Sequence, residues 1–460
     1  MKKRLNIFAD ALLVGHLTEG NAGGMSFAYA STWLANADAI PLSSDLPLSD
    51  QTFHGEPVVA FFENLLPEGD VLEFISKVAQ ISSGNTFGLL ERFGGDTAGA
   101  FSLLPEGMLP SHEPHYLPVA SQNILEWFQR SRGIPLNIAG EQARMSLSGA
   151  QDKMTVFIDT KGNISIPLGT APSSHIIKPS VRHRQDVPHT AVNEAMIMML
   201  AKKIKLDVAE VRYAPELSAV VVTRYDREID KDNHLHRLHQ NDLCQALGVP
   251  SNMKYESEGG PSLKECFEAV LKHSSQPAID KRRLIEWVIF NVLVGNMDSH
   301  AKNLSLMTTG ETTQLAPFYD MVCTAVYENL SQKFAFKIGG ENRPKWMMAR
   351  HWDRFADEIG VKPQFIVKVQ LNIMDRIMSA LPAISEELSL TVSSADELDM
   401  VKKIRSFITK SVTQMKMKIS GTHSEHGNTT DIEAATSPAD RSSDEAESQS
   451  AETDTQGLSH

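Results

Sequence analysis

The sequence predicts an α+β fold: a strand-rich N-terminal subdomain, a second strand-bearing lobe, and a mainly helical C-terminal lobe. Three observations carry this. Short alternating apolar runs separated by turn-rich polar stretches fill residues 1 to about 110. Strand-like runs return from about residue 140. After residue 240 the apolar positions mostly recur every three or four residues, the period of a helix with one buried face.

In chain order, "RLNIFAD", "LLVGHL" and "GGMSFAYA" alternate apolar and polar side chains and read as strands. "PVVAFFENLLPEGDVLEFISKVAQI" has helical spacing throughout. "LPEGMLPSHEPHYLP" carries Pro105, Pro110, Pro114 and Pro118, which cannot continue a helix or a central strand, so a boundary is expected near residue 110. "ARMSLSGAQDKMTVFID" and "HIIKPS" then read as strand, turn and strand, "TAVNEAMIMMLAKKI" as helix, and "SAVVVTRYD" as strand. "SLKECFEAVLKH" and "KRRLIEWVIFNVLVGN" are helical. The expected division is 1–110, 111–235, 236–420 and an acidic tail, 421–460. That tail has no aromatic residue and too little apolar surface to offset the cost of ordering, so it is expected to be disordered.

With 460 residues, 42% hydrophobic and 22% charged, the chain has the composition of a soluble globular protein large enough for two or three domains. Its net charge is −13, but residues 421–460 hold nine acidic residues against one arginine, so the remainder carries only about −5. Such a body lacks the positive field that drives non-specific nucleic-acid binding, and contact with DNA is expected only through a basic partner. Cys244, Cys266 and Cys323 are odd in number and form no Cys-x-x-Cys pair, which argues against a disulfide framework or zinc knuckle and for a reducing cytoplasm. Asp10 interrupts the apolar start, with no small-residue cleavage site after it, so the N-terminus reads as a strand and not a signal peptide. The longest apolar run, 284 to 295, contains Glu286 and falls short of the roughly 20 residues that span a bilayer.

That run ends in "NMDSHAKN", where Asp298 and Asn303 have the spacing of the kinase catalytic-loop pattern H-R-D-x-x-x-x-N. An Asp there can take the proton of an attacking hydroxyl, and an Asn can ligate a phosphate-bound magnesium ion. Alone, such a pair is more often a helix cap, with Asp298 starting a helix near His300. Other parts needed for phosphoryl transfer occur in order. Lys178 ends the β-branched run "HIIKPS", where it can reach phosphates, and Glu194 on the following helix can hold that lysine. Asp320, flanked by Phe318, Tyr319, Met321 and Val322, sits where a carboxylate is costly unless paired or metal-bound. "SLSGAQDK" lies where a Gly-rich loop would cover phosphates but has only Gly149; the Ser146–Gln151 backbone, with Ser148, Gln151 and Lys153, is its candidate phosphate-binding segment. Backbone groups near Thr223, Arg224 and Tyr225 occupy the place of an adenine-binding hinge.

The segments "FFENLLPEGD", "SLSGAQDKM", "HIIKPS", "NEAM", "RYDR", "RLHQNDLCQALG", "KYESEGGPSL", "GNMDSHAKNLSL" and "LAPFYDM" resemble, in order, the HipA-like serine/threonine kinase toxins of bacterial toxin–antitoxin systems. The resemblance implies a kinase-like two-lobed core behind the strand-rich N-terminal subdomain, with ATP and Mg2+ as cofactors. By motif position it implies Asp298 as catalytic base, Asn303 and Asp320 as magnesium ligands, and Lys178 as the phosphate-binding lysine. Ser148, Gly149, Ala150, Gln151, Lys153, Thr223, Arg224, Tyr225, His300 and Lys302 fall in the remaining ATP-binding segments. It further implies autophosphorylation at Ser146, with Ser148 a second possible acceptor, that ejects the loop and inactivates the kinase. Implied partners are a HipB-like helix-turn-helix antitoxin and a protein substrate such as an aminoacyl-tRNA synthetase. The chain departs from the family's usual Glu-Arg-Phe-Asp hinge, having Thr223, Arg224, Tyr225 and Asp226.

Two other function classes fit the same residues. The altered hinge and single glycine suit a pseudokinase-like binding module that scaffolds an antitoxin in transcriptional autoregulation. A metal-dependent phosphohydrolase built on Asp298, His300 and Asp320 lacks the His-x-His or paired-Asp spacing such sites use.

Overall fold

A computed structural model of the protein describes residues 3–20, 24–131, 151–181, 184–232 and 234–426. The first antiparallel sheet has the strand order Phe53–His54, Met25–Tyr29, Leu12–Glu19, Arg4–Ala9, Phe101–Pro105. Alternation sends Leu5, Ile7, Leu17 and Phe27 to one face, where they are buried against Phe61 and Phe62. The helical spacing read over "PVVAFFENLLPEGDVLEFISKVAQI" does not produce one helix. It yields two, Glu56–Glu63 and Gly69–Ala79. Pro67 is the reason: it has no N–H to donate and disfavours helical backbone in the residue before it. The break leaves Asn64 and Glu68 in a turn between the two helices.

The second sheet is six-stranded and antiparallel, ordered Val211–Ala214, Ala219–Thr223, His175–Pro179, Met154–Ile158, Ile164–Leu168, His115–Pro118. The helix Thr190–Lys203 belongs to the large apolar cluster through Ala191, Val192, Ala195 and Met196, and the same cluster takes in Val220 and Val222 of this sheet and Leu284, Ile285, Phe290 and Leu293 of the helix Pro277–Val294. That second helix begins with Pro277, whose fixed φ suits the first turn. The remaining helices of this half include Leu263–His273, Ala349–Glu358, Pro363–Thr391 and Ala395–His426. A short sheet, His239–Asp242, Ser305–Thr309, Thr312–Leu315, lies beside them. The architecture is thus the α+β one expected.

Residues Met1–Ile419 make one compact unit, and Ser420–His460 a second, described only as helix through His426. The helical turn up to His426 corrects the expectation of disorder from residue 421: extending an existing helix costs far less than nucleating one. The rest of the tail lies outside the described residues, as do Ser146, Ser148, Gly149 and Ala150. Among the described residues no helix is long and apolar enough to cross a membrane, and all three cysteines are free and buried.

Candidate active site

Lys178 stands opposite Val220 in the second sheet, and its ammonium leaves the strand toward the cleft. It donates to Glu194 Oε1 of the helix Thr190–Lys203 and to Asp320 Oδ1, each at 2.8 Å. Burial alone would favour the neutral amine, but the two carboxylates outweigh it and push the Lys178 pKa up. One ammonium between two carboxylates separates the acids. Glu194, 1% exposed, is driven up by burial, which Lys178 only partly offsets, and Asp320 raises it further. Asp320 has 39% of its side chain exposed, and Lys178 with Lys153 overrides its desolvation, holding its carboxyl well below the usual range. Asp320 is therefore the ionised member that faces the cleft.

A backbone conformation and a helix contact place Asp320. Its backbone is left-handed, φ 58°, a conformation that Asp tolerates better than most residues. Downstream, Asn193, the neighbour of Glu194, accepts from Cys323 N at 2.7 Å and donates to Cys323 O at 3.0 Å. One helix thus holds both the lysine and the aspartate segment.

The loop of Asp298 follows from the end of the helix Pro277–Val294. Gly295 closes that helix at φ 73°, and a Cβ there would lie 2.4 Å from the Phe407 ring, so only glycine fits. Asn296 donates to Asn291 Oδ1 at 2.9 Å and accepts from Asp298 N at 3.1 Å, while Met297 N donates to Thr324 Oγ1 at 2.7 Å. The result is an exposed Asp298 between buried neighbours. Asp298 does not cap an α-helix; only a 3-10 turn, Ala301–Asn303, follows. Asn303 Nδ2 donates to Asp298 O at 3.2 Å and Asp320 O at 3.5 Å, which leaves its amide oxygen as the end not used in these bonds. Tyr255, absent from the expected set, donates its hydroxyl to Asp298 Oδ1 at 2.6 Å. The buried His300 is kept toward the neutral imidazole by desolvation, and its Nδ1 has no hydrogen-bond partner among the described residues.

Lys178, Lys153, Asp298, Asn303, Asp320 and Tyr225 line one cavity of about 540 Å³. Its polar end carries two lysines beside carboxylate and amide oxygens, a set that fits phosphates and a hard cation. Burial, then the charge of Lys178, lowers the Lys153 pKa to about 8. Gln151 lies at the same end, donating to Pro179 O at 3.2 Å.

Lys302, expected near phosphate, and Arg224, in the expected hinge backbone, both have buried protein partners for their side chains. Lys302 turns its ammonium to Asn64 Oδ1 at 2.5 Å, Glu68 Oε1 at 3.0 Å and Asp242 Oδ2 at 3.6 Å. Arg224 directs its guanidinium to Asp226 at 2.7 Å, Ser173 Oγ at 2.9 Å and Asp96 at 3.4 Å. Thr223 N and Arg224 N donate to Glu210 O and Ser174 O, so neither amide is left to read a base. Tyr225 remains as a ring, tilted against Tyr319 with centroids 5.7 Å apart. Its hydroxyl bonds Gln240.

The hinge is also clasped by the first sheet's connection. Asp96, fully buried, accepts from Ser173 Oγ at 2.6 Å, Arg227 at 2.9 Å and Arg237 at 3.0 Å. Gly99 N donates to Asp226 Oδ2 at 2.8 Å. Asp96, Glu68, Asn64 and Tyr255 belong to no catalytic spacing. Two sequence signals touch the turn residues: Pro67 inside an apolar helical run, and the family-like segment "FFENLLPEGD".

The chain matches the family models for the HipA N-terminal domain over residues 5–104 and the HipA-like C-terminal domain over residues 145–383. It is 39% identical over 402 residues to the protein Y4mE of Sinorhizobium fredii, covering 85% of this chain and 94% of that one. It is 30% identical over 409 residues to the serine/threonine-protein kinase toxin HipA of Shewanella oneidensis, covering 85% and 91%. A solved Shewanella oneidensis MR-1 structure, a complex of HipA, HipB and operator DNA, superposes with a TM-score of 0.77 at 29% identity, over 89% of this chain and 97% of that one.

Proposed function

The chain belongs to the HipA family of kinase toxins, and from that premise we propose that it is an ATP- and magnesium-dependent protein serine/threonine kinase, the toxin of a toxin–antitoxin system. The observation that carries this reading is Lys178 bonded at once to Glu194 and Asp320, in one cleft with Asp298 and Asn303. Lys178 grips the phosphates of ATP, and Lys153 adds charge at the same end. Asp298, exposed at the mouth, takes the proton as a serine or threonine hydroxyl attacks the γ-phosphorus and ADP leaves. Asn303 and Asp320 supply oxygen ligands suited to Mg2+, which when bound neutralises charge on the phosphates. The backbone of Thr223–Tyr225 and the Tyr225 ring border the base end. Lys302 and Arg224 serve by shaping the loop and hinge.

On this reading Ser146 is the autophosphorylation site, with Ser148 the alternative acceptor, and the external substrate is a protein such as an aminoacyl-tRNA synthetase. The relative solved with HipB and operator DNA supports a HipB-like helix-turn-helix partner, through which this acidic chain reaches DNA in the cytoplasm. The boundaries 1–110, 111–235 and 236–420 are taken as the N-terminal subdomain and the two kinase lobes.

Dephosphorylated protein incubated with labelled ATP and Mg2+ tests the reading. Wild type should label itself or lysate proteins, and Asp298→Asn should lose about 10²–10⁴-fold of that rate, the usual contribution of a positioned base. Equal labelling by the two proteins refutes the kinase reading and leaves a nucleotide-independent binding module.

A further inference from the structure

The break at Pro67 delivers Glu68 to the underside of the loop that carries Asp298. Glu68 Oε2 accepts from Lys254 Nζ at 2.7 Å and Oε1 lies 3.0 Å from Lys302 Nζ, with only 12% of the Glu68 side chain exposed. Each lysine is the sequence neighbour of a residue at the reaction centre. Lys254 precedes Tyr255, whose hydroxyl donates to Asp298 Oδ1 at 2.6 Å, and its ammonium also sits 5.4 Å from the Tyr255 ring centroid. The Tyr255 ring meets His300 edge-on, 5.1 Å between centroids at 88°. Lys302 precedes Asn303, and its carbonyl accepts from Tyr319 at 2.6 Å, the residue before Asp320. One carboxylate therefore bears on three of the groups assigned to transfer.

We propose that Glu68 is a positioning residue for phosphoryl transfer: by clamping Lys254 and Lys302 it fixes Asp298, through Tyr255, and Asn303 in their reactive orientations. The inference rests on the kinase reading, and it makes the N-terminal subdomain a working part of the active site. The end of the helix Glu56–Glu63 and the turn that follows it are themselves anchored to the C-terminal half. Gln245 Nε2 donates to Phe61 O at 3.0 Å, Asn64 Nδ2 to Val249 O at 2.9 Å, and Ser251 Oγ to Glu63 at 2.9 Å. Burial would raise the Glu68 carboxyl, but Lys302 and Lys254 overcome it and hold the group at about 2, so the clamp is ionised at neutral pH. Without that charge the Lys302 ammonium keeps Asn64 and the more distant Asp242, and is freer to swing toward bound phosphate. Glue between subdomains would predict a loss of stability alone. A positioning role predicts a loss in the chemical step of molecules that remain folded.

The test compares full-length wild type, Glu68→Gln, Glu68→Asp and Tyr255→Phe. Steady-state transfer is measured against ATP, circular-dichroism melts report folding, and amide exchange is followed over residues 296–304. Glu68→Gln should lower kcat tenfold or more with KM for ATP within twofold, and Glu68→Asp should restore part of the loss. Adding Tyr255→Phe to Glu68→Gln should cost little more than the worse single change, because both act on one carboxylate. Exchange over residues 296–304 should quicken in Glu68→Gln. If Glu68→Gln melts below the assay temperature, Lys254→Gln, which opens one arm of the clamp, carries the same comparison. A kcat within twofold of wild type, or unaltered exchange in that loop, overturns the proposal. Wild type without any transfer sinks the kinase reading instead, and the exchange arm still decides whether Glu68 orders the loop.

Discussion

Replacing Asp96 by alanine should destabilise the protein by about 3–5 kcal/mol at neutral pH, the usual cost of removing one partner from a buried ion pair. Three guanidinium groups, Arg224, Arg227 and Arg237, share Asp96 and Asp226 at distances of 2.7–3.4 Å. With the side chains of Arg224 and Arg227 each 1% exposed, water cannot replace a missing carboxylate. The change leaves three cations against one anion and strips Ser173 Oγ of its acceptor. The pH dependence gives a second, independent magnitude. Burial would raise the Asp96 carboxyl, but Arg227, Arg224 and Arg237 hold it at about 2 against an ordinary 3.8. At 1.36 kcal/mol per pKa unit that depression corresponds to about 2 kcal/mol. Because the folded pKa is the lower one, this contribution is complete above about pH 4 and lost as pH falls toward 2. Urea unfolding followed by circular dichroism, wild type against Asp96→Ala at several pH values, checks both. A gap below 1 kcal/mol at pH 7, or one that does not narrow between pH 4 and pH 2, would refute the account of the clasp.

Lys178→Met should abolish nucleotide-dependent thermal stabilisation and lower transfer by about 10²-fold or more, since it removes the cation that both grips phosphate and separates Glu194 from Asp320; a differential scanning titration with ATP and Mg2+ checks it, and unchanged stabilisation counts against the assigned site. Lys153, held at about 8 by burial and Lys178, carries its charge below that pH, so ATP affinity should fall as pH rises through 8 in wild type. Equilibrium binding across pH 7 to 9 should show no such slope in Lys153→Met.

The grouping of candidate residues was legible because phosphoryl transfer restricts residue types and their order. Lys178, Glu194, Asp298, Asn303 and Asp320 could each be found from a short segment, and the fold brings all five to one cleft or its wall. Hydrophobic period likewise located strands such as His175–Pro179 and helices such as Pro277–Val294. What stayed hidden was the set of partners that orient those groups. Arg224 entered as part of a hinge backbone, with nothing in its segment to show where its side chain goes; a buried guanidinium is stable only beside carboxylates, and one that meets it, Asp96, lies 128 positions away. Lys302 looked like a phosphate ligand by its loop, but it meets an acidic turn 238 positions distant at Asn64. Neither pairing leaves a spacing rule, because loop closure cost grows too slowly with length to favour near partners over far ones. Pro67 was the exception: a single residue known to end helices, set among apolar positions that continue the helical period, placed Asn64 and Glu68 in a turn. Given that break, two polar side chains beside an apolar helix require partners elsewhere, and the loop at 298–303 offers the lysine that meets them. Reading a proline against the period it interrupts is therefore a route from sequence to the supports of a site as well as to its chemistry.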